Sequence, residues 1–281
     1  MNYKEEEAIL MKLTADKMPT FEAELINTLK RHNNNDLFMP FLKTVEGGKR
    51  LRPLLMLLIN EACGTLVNPL DAAQAIEILH TISLIHDDII DKEKSRRDDS
   101  PFYIKYGRDK AIIAADFAFG LVMELLAKYN EHIMKTVANA STEMSQGELI
   151  EVMFMKKRKI SLADYIRVIK MKTASLFAAT CEIGAALSKR EEMGQEMKEF
   201  GELLGLIYQI RDDQEDQGKK GELINVLDSA ERGKLQDYMI TLINNAQNHL
   251  QKLDDSDAKT YIEHILALIS DVPGPLHLTP K

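Results

Sequence analysis

The sequence predicts an all-α protein, a single domain over residues 1–281 built from long antiparallel helices. Three observations predict it. No proline occurs between Pro101 and Pro273. Because proline breaks helix interiors, that interval can run as helix interrupted only by short turns. Across it, apolar residues recur at three- and four-residue spacing, as in Leu203, Leu206, Ile207 and Ile210, or Met239, Leu242, Ile243 and Ala246. That is the period of one helical face, not of a strand. No alternating strand pattern and no internal repeat is present.

In chain order the predicted helices are 3–31, 36–45, 50–64, 69–92, 109–128, 130–156, 161–188, 190–217, 231–253 and 257–271. The stretch GGKRLRP leads into 50–64. The apolar run EILHTISLIH lies in 69–92, IKMKTASLFAATCEIGAAL in 161–188 and GELLGLIYQIR in 190–217. Segments 93–107 and 217–230 are polar and contain glycine, so they read as loops, and VPGPLHLTPK reads as a non-helical tail.

Composition narrows the function classes. With 45% hydrophobic and 28% charged residues the chain can bury a substantial core beneath a charged surface. A formal charge of −8 argues against a general nucleic-acid binder, whose surface must be basic. Cys63 and Cys181 are too few for a disulfide framework or a zinc site and read as buried free thiols. The start MNYKEEEAIL lacks signal-peptide character, and no run of about 18 apolar residues predicts a membrane span. A cytoplasmic location follows as the default expectation.

Two acidic motifs carry the chemistry. Asp87-Asp88-Ile89-Ile90-Asp91 ends one apolar helix, and Asp212-Asp213-Gln214-Glu215-Asp216 ends another, each before a polar loop. Asp87 and Asp91 are four residues apart, so both carboxylates leave one helical face and repel unless a cation lies between them. Oxygen-only ligands of this kind suit magnesium, which takes a few carboxylates and fills its shell with water and substrate phosphate. Gln209 adds an amide to the face of the second motif. A DDxxD run arises by chance roughly 0.1 times in a sequence of this kind, so two copies on matching helix ends are not a solvated surface feature.

Magnesium and phosphate call for basic partners. Lys49, Arg50 and Arg52 precede a helix in a glycine-containing turn, Arg96-Arg97 follows the first motif, and His80 lies seven residues before Asp87 on the same stripe. Lys172-Thr173 interrupts an otherwise apolar helix, where a lysine must snorkel or meet an anion.

The ordered set GGKRLRP, HTISLIHDDIID, RR, KT and YQIRDDQED resembles the trans-isoprenyl diphosphate synthases over roughly residues 45 to 220. The resemblance implies an isoprenoid-synthase-type bundle around a central apolar cavity. It implies a head-to-tail condensation of an allylic diphosphate with isopentenyl diphosphate, with magnesium, three ions per site, and a homodimer. Asp87, Asp91 and Asp212 would be direct metal ligands, with Asp88 supporting the first pair and Asp213 and Asp216 assisting through water. Lys49, Arg52, His80 and Arg97 would hold isopentenyl diphosphate, and Arg96 the allylic diphosphate. Lys172, Thr173 and Gln209 would line the reacting end of the allylic substrate. The connector after the second motif is shorter than in the family, which leaves Lys219 or Lys220 as the candidate for a further diphosphate contact.

Upstream of the first motif, Ser83 and Ile82, then Leu79 and Ile78, occupy the turns that limit product length in that family. None is aromatic, which favours the C20 product, geranylgeranyl diphosphate, with a C25 or longer product as the alternative and a farnesyl product disfavoured. A terpene cyclase would not need Lys49, Arg52, His80 and Arg97. A non-catalytic subunit would be expected to lose metal aspartates.

Overall fold

Helices dominate because nothing in the middle of the chain stops them. The computed structural model describes residues 3–32, 36, 38–96, 99–218 and 222–270. The elements are α1 (Tyr3–Lys30), α2 (Phe38–Val45), α3 (Leu51–Ala62), α4 (Leu70–Asp91), α5 (Phe102–Tyr106), α6 (Arg108–Leu126) and α7 (Glu131–Phe154). They continue with α8 (Leu162–Ile169), a π-turn (Lys170–Ala174), α9 (Ser175–Ala186), α10 (Gly194–Glu215), α11 (Ser229–Arg232), α12 (Leu235–Leu250) and α13 (Asp257–Ser270). Among the described residues there is no strand, only isolated bridges such as Ile160 with Leu227. The all-α expectation holds, and Cys63 and Cys181 are buried free thiols. No helix of the described residues is long and apolar enough to cross a membrane.

The centre is α9. Every residue from Ser175 to Ala185 is buried, which requires neighbours all round, and α3, α7 and α10 supply them, with α4 at one side. α4 lies between α3 and α6, and α12 and α13 pack on α10. The core is therefore continuous from Phe21 and Leu25 of α1 through Leu55 and Ile59 of α3 to Phe177 and Phe200.

Three predicted elements change. The segment 93–107 contains α5, whose Phe102 and Tyr106 rings sit one turn apart with centroids 4.8 Å from each other. The segment 217–230 holds a 3₁₀ turn, Leu223–Asn225, that buries Leu223 and Ile224, and the start of α11. In both cases a few apolar residues inside a polar stretch reach the core. The predicted helix 161–188 is broken at 170–174, where the hydrogen bonds widen to i→i+5.

That π-turn is held on two sides by missing side chains. A Cβ on Gly147 of α7 would lie 2.5 Å from the Lys172 backbone nitrogen, and one on Gly205 of α10 would lie 2.6 Å from the Ala174 Cα. Both are closer than packed atoms can approach, so only glycine lets the two helices close on the turn. Replacing Gly147 by alanine is expected to cost about 1–3 kcal/mol through overpacking, read as a lowered urea midpoint at unchanged slope. An unaltered midpoint would show that the turn is not clamped there.

Candidate active site

A single cavity of about 940 Å³ collects most of the residues singled out in the sequence. The turn before α3 contributes Lys49 and Arg52, α4 contributes His80, Asp87 and Asp91, and the following loop contributes Arg96. The π-turn brings Lys172 and Thr173, and α10 with its cap brings Gln209, Asp212 and Asp216. Arg97 and Lys219, with its neighbour Lys220, lie outside the described residues. Asp88 and Asp213 are the two predicted site residues that do not line the cavity.

Helical rotation explains the split. In each motif the first and last aspartates lie on one face, whereas the second is turned by about 100°. Asp88 is 3% exposed and Asp213 5%, and each organises a neighbour instead. Asp88 Oδ1 accepts from Arg96 Nε at 2.5 Å, which fixes the root of a guanidinium at the cavity rim. Asp213 accepts from the Tyr165 hydroxyl and from Gln209 Nε2, both at 2.6 Å.

Both motifs sit at helix C-termini, where the macrodipole is negative and carboxylates are disfavoured. Two residues not foreseen from the sequence sharpen this. Glu148 of α7 lines the same cavity, and Glu151 stands one turn on, behind the lining. Lys172 Nζ pairs with Glu148 at 2.6 Å and with Glu151. Burial raises the Asp87 pKa to about 7, helped by Glu148, Glu151 and Asp91 and opposed by Lys172. The Asp91 and Glu151 carboxyls are pushed up for the same reasons, burial first. Burial works against the Lys172 ammonium, but Glu151, Asp87 and Glu148 outweigh it and hold its pKa well above the usual lysine range. Four carboxylates thus crowd one ammonium. The only sequence hint of the α7 pair is that Glu148 and Glu151 stand one turn apart directly after Gly147.

The cations divide by role. Arg50, in the left-handed region at φ 53°, is buried and bonds Glu22 at 2.6 Å and Glu77 at 2.7 Å, so it pins the GGKRLRP turn to α1 and α4. Arg52 stacks its guanidinium 4.3 Å above the Phe177 ring, and its buried Nε has no hydrogen-bond partner. A buried donor left unpaired at a cavity wall marks where an anion would be welcome. Apolar walls come from Leu79, Ile82 and Phe119. Ile78, expected to help limit product length, is buried in the core and does not line the cavity, because it is turned away from Leu79 by one helical step.

The donors fit magnesium. Asp87, Asp91 and Asp212 offer oxygen only, at one cavity, in a field with surplus negative charge. A different trio, Glu196, Glu199 and His249, brings its ligand atoms within 4.8 Å of one another between α10 and α12. None of the three lines the cavity, and Glu196 is already engaged by Lys252 at 2.5 Å and His249 at 2.8 Å.

Comparison with known proteins agrees with the fold. A family model, polyprenyl synthetase, matches residues 35–262. A geranylgeranyl diphosphate synthase of Methanosarcina mazei is 35% identical over 175 residues, 59% of this chain and 54% of that one. A geranylfarnesyl diphosphate synthase of the same organism is 36% identical over 169 residues, 59% of this chain and 57% of that one. The chain thus spans little more than half the length of these curated relatives. Among solved structures, a polyprenyl synthase from Caulobacter crescentus CB15, complexed with calcium and isoprenyl diphosphate, superposes with a TM-score of 0.81. The match has 22% identity and covers 94% of this chain and 97% of that one.

The carboxylate crowding has a pH signature. Asp87 is near 3.8 when unperturbed and is raised to about 7 in the folded protein. A carboxyl raised by folding costs stability once the pH passes the unfolded value, and the cost is complete above the folded one. Without divalent cations, Asp87→Asn is therefore expected to melt above wild type at about pH 8, with the gap shrinking towards about pH 5. Thermal denaturation in chelator at both pH values checks this. A gap independent of pH would show that the neighbours do not hold a proton on Asp87.

Proposed function

The chain belongs to the polyprenyl synthetase family, and from that premise we propose that it condenses an allylic diphosphate with isopentenyl diphosphate, head to tail. The observation that carries this reading is the shared cavity. One wall is a carboxylate crowd fit for metal-bound diphosphate, and another presents Lys49, Arg52 and His80 for a second diphosphate. A cyclase needs only the first. We take residues 1–281 as one domain of this type.

Asp87, Asp91 and Asp212 would hold magnesium, in our reading three ions per site, with Asp216 assisting from the same cavity. When bound, magnesium would neutralise the departing diphosphate and so favour cleavage of the allylic carbon–oxygen bond. Arg96, braced by Asp88, would hold the allylic diphosphate. Lys49, Arg52 and His80, with Arg97 from outside the described residues, would hold isopentenyl diphosphate. The isopentenyl double bond then attacks the allylic cation, and the released diphosphate accepts the proton lost in forming the new double bond. Lys172, Thr173 and Gln209 surround the reacting end, and Lys219 is proposed as a further diphosphate contact. Leu79, Ile82, Phe119 and Met144 keep water from the cation.

We assign geranylgeranyl diphosphate as the product. Leu79, Ile82 and Ser83 form the α4 wall with no aromatic residue, while the Phe119 ring stands on α6. A C25 product is the second reading, favoured by the equal similarity to the geranylfarnesyl enzyme. Ile112, Ile113, Phe119 and Met123 leave an apolar face of α6 about half exposed. That face suits a second copy of the chain, so a homodimer is proposed. Free buried thiols fit a reducing compartment, the cytoplasm in our reading.

Incubating the purified protein with magnesium, isopentenyl diphosphate and each allylic starter, followed by chain-length analysis, is expected to give a C20 product and none in chelator. Absence of elongation with every starter would overturn the reading. Asp87→Ala should lose turnover by about two orders of magnitude or more while circular dichroism stays helical. Retained turnover would remove Asp87 from the ligand set.

A further inference from the structure

The sequence reading expected Asp213 to assist a metal through water. Its surroundings show a different arrangement. The side chain is 5% exposed, faces away from the cavity and has a protein donor on each oxygen. Tyr165 of α8, itself 0% exposed, donates its hydroxyl to Oδ2 at 2.6 Å, and Gln209 Nε2 donates to Oδ1 at 2.6 Å. From the other side the Thr173 hydroxyl donates to Gln209 Oε1 at 2.8 Å. Thr173 and Gln209 line the cavity, whereas Tyr165 and Asp213 do not.

We infer that Tyr165 is a positioning residue that acts through Asp213 to fix the side-chain amide of Gln209, so that the Gln209 carbonyl faces the reacting end of the allylic substrate. The inference rests on the prenyl-transfer reading for its consequence, but its structural content stands apart from it. An amide can turn over, and its two orientations differ only in what its ends meet. The two hydrogen bonds of Gln209 agree on one orientation, its nitrogen donating to Asp213 Oδ1 and its oxygen accepting from Thr173. Burial raises the Asp213 pKa to about 7, and the Tyr165 and Gln209 hydrogen bonds oppose that rise and favour the carboxylate, which can only accept. The oxygen is then on the cavity side, and its dipole presents negative charge where positive charge develops on the allylic carbon. Without the Tyr165 hydroxyl the carboxylate keeps one partner and is free to rotate. The amide it orients then loses its fixed direction. Burial holds the proton on the Tyr165 oxygen, and the negative charge of Asp213 adds to it, so the phenol remains a donor. α8, the π-turn and α10 are thereby tied at one point behind the cavity.

The test is Tyr165→Phe in the full chain, which removes one oxygen and keeps the ring. With magnesium, isopentenyl diphosphate and an allylic starter, kcat is expected to fall about 10- to 100-fold, with both KM values within about twofold of wild type. In a Gln209→Ala background the same substitution should change kcat by less than about twofold, because the residue through which Tyr165 acts is gone. A purely structural role would instead lower kcat by the same factor in both backgrounds. A readout independent of turnover is the ¹⁵N–¹H signal pair of the Gln209 side-chain amide, assigned by its loss in Gln209→Glu. It is expected as one sharp pair in wild type and as a shifted and broadened or doubled pair in Tyr165→Phe. An unaltered pair overturns the inference even if the protein elongates no substrate. Unaltered kcat in an active enzyme overturns it too. A wild type inactive with every starter but showing the altered pair would leave the positioning intact and remove only the prenyl-transfer reading.

Discussion

The site depends on an electrostatic imbalance that the fold creates and does not cure. Asp87, Asp91, Glu148 and Glu151 are gathered around Lys172, and Asp87 and Asp91 sit where α4 already points its negative end, as Asp212 does at the end of α10. A protein selected for stability alone would place basic residues there. The cost is tolerable because the long apolar helices behind the site, above all the wholly buried α9, supply the stability that the cavity surrenders. The surplus negative charge makes the cavity attractive to cations, which is the property that the proposed reaction would use.

Positioning then falls to groups hidden behind the lining. Asp88 and Asp213 belong to the acidic motifs by sequence but to the scaffold by location. One braces Arg96, and the other joins Tyr165 to Gln209. Arg50 borders the cavity together with Lys49 and Arg52, but it spends its donors on Glu22 and Glu77 and so holds the turn that presents the other two. In each acidic motif neighbouring aspartates divide into one that lines the cavity and one that holds the geometry.

Much of this was legible in the sequence. Helix positions followed from proline placement and apolar period, because both act locally. The outer aspartates were legible because spacing of four residues along a helix fixes a shared face. What escaped depended on tertiary neighbours. Glu148 and Glu151 look like ordinary surface acids of α7 until Gly147 brings the π-turn against them. Tyr165 reads as one more apolar position. Ile78 differs from Leu79 by a single helical step, and only the packing of α4 says which of the two faces inward. The short α5 held too few residues for a periodic signal.

The π-turn has one more consequence, for anyone drawing a helical wheel through this region. Tyr165 and Lys172 are seven residues apart, and on an uninterrupted α-helix they would project from nearly the same side. In the protein only one of them lines the cavity: Tyr165 bonds Asp213 behind the wall, and Lys172 enters the cavity. The extra residue accommodated at 170–174 shifts the phase of everything after it. Any projection, repeat register or substitution pattern carried across that point without resetting the phase by about 100° will assign the buried side chains of α9 to the wrong neighbouring helices.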